Sequence, residues 1–173
     1  MIELSIMIQE KIKKIPIWKN EIEISNLDGG ITNQNYLIND GGKKVVVRLG
    51  EDILEHLVIR SNEVISSKAA YETGISPKVL YHDYGILVLE YVQSETLDSD
   101  GVRKNIDRII PLIKKVHHDV PKNLIGPAMI FWVFHVIRNY INFLKKNDSQ
   151  HINRLNTLSQ YCDKLEKISA PYD

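Results

Sequence analysis

Gln34-Asn35-Tyr36-Leu37-Ile38-Asn39-Asp40-Gly41-Gly42-Lys43-Lys44-Val45-Val46-Val47-Arg48-Leu49 is the stretch whose reading decides the fold. Two short apolar runs flank Gly41-Gly42, and paired glycines supply the positive φ that a tight two-residue hairpin turn demands. The segment therefore predicts two antiparallel strands, Gln34–Asn39 and Lys43–Leu49. Working outward, further β-branched runs bounded by turn residues predict strands at Glu21–Ser25, Val79–Tyr84 and Ile86–Val92. One helix interrupts them, from about Ser61 to Thr73, with Gly74 placed where a helix end favours a left-handed residue.

Near residue 98 the pattern changes to a helical period. Ile106, Ile109, Ile110, Ile113 and Val116 share one face, and Ile130, Val133, Phe134, Ile137, Ile141 and Leu144 share another. Leu155, Leu158, Cys162, Leu165 and Ile168 form a third stripe. The helix expected from Pro127 to about Lys146 carries a second apolar row, Trp132, Val136, Tyr140 and Phe143, so it should be covered on two sides. The amino-terminal Met1 to Trp18 reads as an amphipathic helix rather than a signal peptide. The expected class is α+β: a small, mainly antiparallel sheet with one helix, followed by an all-helical part.

The chain has 173 residues, with 22 Lys+Arg against 22 Asp+Glu and 43% hydrophobic residues. That apolar content excludes a disordered chain, and the zero net charge argues against a nucleic-acid partner. Cys162 is the one cysteine, which excludes an intrachain disulfide framework and a multi-cysteine zinc site. The most apolar stretch, Met129 to Ile137, is too short to span a bilayer. The expected location is the cytoplasm, with no membrane partner.

Four features bear on chemistry. Asp28-Gly29-Gly30-Ile31-Thr32-Asn33-Gln34-Asn35 sets two glycines and small polar residues between strands, a loop whose backbone N–H groups can approach a phosphate. Taken alone, a plain hairpin turn explains it better, and no Gly-Lys-Ser/Thr follows. Arg48 ends its strand, where a guanidinium fork suits phosphate oxygens and a solvated strand cap is the commoner role. Glu63 lies on the following helix, where a surface glutamate is usually inert. Glu90, Tyr91 and Val92 end an apolar strand that enters a polar linker, and their backbone groups could meet an adenine edge.

In order and spacing, Gly29-Gly30-Ile31-Thr32-Asn33 with Tyr36, Val45-Val46-Val47-Arg48, Arg60 with Glu63, Gly74-Ile75-Ser76-Pro77-Lys78-Val79 and Leu87-Val88-Leu89-Glu90-Tyr91-Val92 resemble the small lobe of the choline/ethanolamine kinase family. That family belongs to the aminoglycoside-phosphotransferase-like, protein-kinase-like folds. Leu112 to His118 and Phe131 to Lys146 continue the likeness. The resemblance implies a kinase-like N-lobe over residues 1–92, a hinge at 93–98, and the helical part of an incomplete C-lobe over 99–173. It also implies that Gly29, Gly30, Thr32, Asn33 and Asn35 cover ATP phosphates, that Arg48 replaces the usual strand lysine with Glu63 as its partner, and that Glu90, Tyr91 and Val92 hold adenine.

Phosphoryl transfer further needs a base for the acceptor hydroxyl and ligands for Mg²⁺. In this family they sit on an H-x-D-x-x-x-x-N loop and a later aspartate segment. His117-His118-Asp119 is followed by Asn123 one residue too early, with Leu124 in the required place, and His82-Asp83 has no asparagine in register. Neither is taken as a catalytic loop. Catalytic and metal residues are therefore assigned to no position, and Cys162 reads as core. In the resembling enzymes the loop follows soon after a segment like Ser169-Ala170-Pro171-Tyr172-Asp173, so the chain is expected to stop short of its chemistry.

The leading expectation is an amino-terminal portion of a choline-kinase-like phosphotransferase that is inactive alone. It would bind ATP weakly or not at all, and Mg²⁺ would serve only the intact enzyme. Its small-molecule acceptor would be choline or a similar hydroxyl compound. The alternatives are a non-catalytic nucleotide- or partner-binding module, and an interaction protein that self-associates through helix 128–146.

Overall fold

The computed structural model describes residues 5–27 and 33–169. Five strands form one antiparallel sheet: β1 (Ile22–Leu27), β2 (Gln34–Asp40), β3 (Lys43–Leu49), β4 (Val79–Asp83) and β5 (Ile86–Glu90), in the order β1-β2-β3-β5-β4. The β2–β3 turn is the expected two-residue one. Asp40 pairs with Lys43, and Gly41 and Gly42 both take positive φ, 58° and 93°.

Side-chain alternation divides the sheet into two faces. Tyr36 and Ile38 of β2 and Val45, Val47 and Leu49 of β3 point to one face, where Ile12 and Ile15 cover them. Ile12 belongs to α1 (Ile6–Lys13). This helix is shorter than the expected Met1–Trp18, of which Met1 to Leu4 lie outside the described residues. The physical reason is Pro16, which disfavours helical backbone at Ile15. The chain then turns so that Trp18 donates its indole N–H to the Ile12 carbonyl at 2.7 Å. Asp40 receives the backbone N–H groups of Lys19 and Asn20. The other face carries Val46 and Arg48. Leu87, Val88 and Leu89 of β5 are all buried, as befits a strand covered on both sides.

Helix α2 (Arg60–Glu72) follows β3. Its first N–H is capped not by the preceding residue but by Asp52, whose Oδ1 accepts from Arg60 N at 2.7 Å. It ends as expected at Gly74, φ 73°, with Ile75 N–H donating to the Ala70 carbonyl. After β5 come α3 (Ser99–Lys104) and α4 (Ile106–His118). The apolar face read on α4 is not buried: Ile106, Ile110, Ile113 and Val116 are all exposed.

Contacts group the chain into two compact units, Met1–Asp52 with Ile59–Ala128, and Ile53–Val58 with Met129–Asp173. The first contains the elements above. In the second, α5 (Val133–Lys146) packs on α6 (Ile152–Ser169) through Phe134, Val136, Ile141, Leu155 and Cys162. Cys162 is buried with its thiol directed at the Phe134 carbonyl. Helix α5 begins at Val133, six residues later than the expected Pro127. Trp132 stays extended at the helix entrance, and its indole N–H donates to Glu166 Oε1 at 2.6 Å. Arg138 bridges Asp163 and Glu166, and this guanidinium, with the Trp132 indole, holds the Glu166 carboxyl below its ordinary pKa. Of the expected α6 stripe, Leu158, Leu165 and Ile168 remain exposed. Among the described residues, no helix is long and apolar enough to cross a membrane.

Candidate functional site

Register places the site. Arg48 sits directly opposite Asn35 across the β2–β3 ladder and opposite Leu87 across β3–β5. Because Val47 and Leu49 fill the core face, Arg48 must emerge on the face toward α2. There its NH1 donates to Glu63 Oε1 at 2.6 Å, and its Nε donates to Asn35 Oδ1 at 3.2 Å. The second carboxylate oxygen of Glu63 accepts from Arg60 NH1 at 3.0 Å. One carboxylate thus joins two guanidiniums, each through a charge-assisted bond.

Arg48 also lines an open cavity of about 760 Å³. Val46, Leu89 and Ile75 supply apolar wall, Glu90, Tyr91 and Val92 form one margin, and Gly74 to Pro77 contribute to the wall. The volume lies within the usual range of ligand clefts, roughly 300–1,000 Å³. Along that margin the Glu90 N–H is donated to the Lys78 carbonyl at 3.0 Å, so Glu90 can serve a ligand only through its carbonyl or side chain. The Val92 carbonyl accepts from Ser94 Oγ at 3.4 Å, and Lys44 Nζ stands 5.7 Å from the centre of the Tyr91 ring.

The structure therefore brings Arg48, Glu90, Tyr91 and Val92 to one cavity and ties Asn35 and Glu63 to Arg48. Asn33 does not line that cavity; its Oδ1 is buried and has no hydrogen-bond partner among the described residues. Gly29, Gly30 and Thr32 lie outside the described residues. Reasoning from the residues alone gave no role to Arg60, although its spacing of three from Glu63 on a helix was a legible signal. The look-alike His117-His118-Asp119 closes α4, and Asp119 pairs with Lys122 at 3.3 Å. Among the described residues, no cluster of three or more His, Cys, Asp or Glu could hold a metal ion.

A family model described as choline/ethanolamine kinase matches residues 24–172. The chain belongs to that family. It is therefore a member of a family of kinase-like phosphotransferases, and the α+β fold agrees. Protein LicA of Haemophilus influenzae is 27% identical over 150 residues, which cover 82% of this chain and 42% of that protein. The solved structure of a Plasmodium vivax ethanolamine kinase superposes with a TM-score of 0.68 at 17% identity. That match covers 91% of this chain and 49% of the kinase, and it speaks to the fold. The structure of LicA in complex with AMP is 27% identical with a TM-score of 0.51, covering 82% of this chain and 55% of that one. The chain spans about half the length of the relatives it matches.

Proposed function

We propose that this chain carries the nucleotide-holding half of a choline-kinase-like phosphotransferase, which moves the γ-phosphoryl group of ATP to the hydroxyl of choline or a similar small amino alcohol. In this reading residues 1–92 form the cradle lobe, 93–98 a hinge and 99–173 the helical part of a second lobe. The observation that carries it is the Arg48–Glu63 pair at a cavity whose margin is Glu90, Tyr91 and Val92. An always-charged fork meets phosphate oxygens, and an apolar slot with backbone groups at its edge suits a purine. The AMP complex of LicA supports a nucleotide as the occupant. A cytoplasmic place of action fits an ATP consumer.

Bound ATP supplies the transferable phosphoryl group. Arg48 binds and orients its phosphates, and Asn35 and Glu63 keep Arg48 in place. The described residues do not suit Mg²⁺: both oxygens of Glu63 are engaged by arginines, and no described cluster offers a ligand set. No step is therefore routed through a metal here. The sequence contains no H-x-D-x-x-x-x-N. In this reading the chain by itself does not turn over. The same gap favours a second reading, a nucleotide-binding module without catalysis.

Titration of the purified chain with a fluorescent ATP analogue tests the assignment. Arg48→Ala should weaken binding roughly tenfold or more, the scale of one lost charge-assisted bond. Unchanged affinity would overturn the cradle reading, and choline phosphorylation by the unaided chain would overturn the division of labour.

A further inference from the structure

Arg60 occupies a costly position. A buried guanidinium must be fully bonded to be tolerated, and the first turn of a helix, the positive end of its dipole, is a poor place for a cation. Arg60 is nevertheless buried at the first position of α2. Among the described residues it donates its N–H to Asp52 Oδ1, its Nε to the Glu51 carbonyl at 2.9 Å, and its NH1 to Glu63 Oε2. Gly50 makes room for it, since a Cβ there would lie 2.7 Å from Arg60 NH2 and 2.8 Å from Cζ. Helix capping accounts for the first bond only, and any residue but proline could make it. The side chain is oriented toward Glu63.

We infer that Arg60 is a positioning residue for the nucleotide phosphates, acting through Glu63 on Arg48. With one oxygen on each arginine, the Glu63 carboxylate cannot rotate without breaking a charge-assisted bond, so Arg48 is held against a fixed anchor rather than a mobile one. Arg60 also shares the carboxylate charge, which leaves more of the Arg48 field for a phosphate. This deepens the nucleotide reading proposed above and rests on it.

The test compares dissociation constants of the whole chain for ATP and for adenosine, which lacks phosphates. Arg60→Met should weaken ATP roughly tenfold, the effect of one lost charge-assisted contact, while adenosine affinity stays within twofold. Arg60→Lys keeps the charge without the fork and should recover only part of the loss. Gly50→Ala keeps Arg60 but displaces its guanidinium, and should reproduce the selective loss of ATP; it also serves if Arg60→Met does not fold. In a Glu63→Gln background Arg60→Met should add less than twofold. A full further loss in that background, or an equal loss of adenosine, overturns the inference. If Arg48→Ala leaves ATP affinity unchanged, the nucleotide reading itself fails; if Arg48→Ala matters and Arg60→Met does not, only the role of Arg60 fails.

Discussion

Glu63→Gln isolates the charge that joins Arg48 to Arg60 at almost constant volume. The side chains of Arg48, Glu63 and Arg60 are 32%, 21% and 10% exposed. The cluster thus lies between an open surface pair, worth about 0.2–1 kcal/mol, and a fully buried one, whose breaking costs about 3–5 kcal/mol. Glutamine can still accept from one arginine, but its NH₂ then faces the other guanidinium, donor against donor. One charge-assisted bond is lost, about 1.5–3 kcal/mol, and the other becomes neutral. Solvent screening at the Arg48 end reduces the sum, and the expected loss is about 2 kcal/mol. With a urea slope of about 2 kcal/mol/M, the midpoint should fall by about 1 M. The assay is urea unfolding followed by far-ultraviolet circular dichroism, with Glu72→Gln at the exposed end of α2 as a control that should not move. A shift below about 0.2 M for Glu63→Gln would refute the reasoning, as would strict additivity of Glu63→Gln and Arg48→Met in a double-mutant cycle.

Asp40 predicts an acid response. The Lys19 N–H, with the amide and side chain of Asn20, holds its carboxyl below the ordinary 3.8. Its contribution is therefore complete above that value and is lost as pH falls through the lower folded-state value. Asp40→Asn should flatten the stability profile between pH 5 and 2 in urea titrations, and an unchanged profile would count against it. At the hairpin, Gly42→Ala meets only backbone strain, about 1–2 kcal/mol, because its Cβ has open space. Gly41→Ala adds a contact of 2.4 Å with Asn20 Nδ2 and should lower the thermal midpoint further. Self-association through the segment 128–146 would use the exposed Met129, Ile130 and Phe131 ahead of α5 and Phe143 on it. Sedimentation should then show mass rising with concentration, and Phe131→Glu should abolish the rise.

How much was legible in the sequence follows from which interactions are local. The turn at Gly41-Gly42, the strand beginning at Lys43 and the end of α2 at Gly74 depend on a few neighbouring residues and their φ preferences, and the structure reproduces them. The partnership of Arg48 with Glu63 was expected from the family resemblance, and two side chains fifteen residues apart do meet at 2.6 Å. Element ends were harder to read. Pro16 shortens α1, and Trp132 delays α5 because its indole finds a partner 34 residues away.

By itself, then, the sequence determined the alternation, turns and helical periods, because these are written in nearest neighbours along the chain. Only the tertiary structure decided that Glu63 divides its carboxylate between two arginines, that Asp52 caps α2 from eight residues upstream, and that the Glu90 N–H is already engaged. It also decided that the apolar stripe of α4 stays exposed. A hydrogen bond or a buried face depends on what the folded chain sets within a few ångströms, and a one-dimensional pattern does not contain that distance.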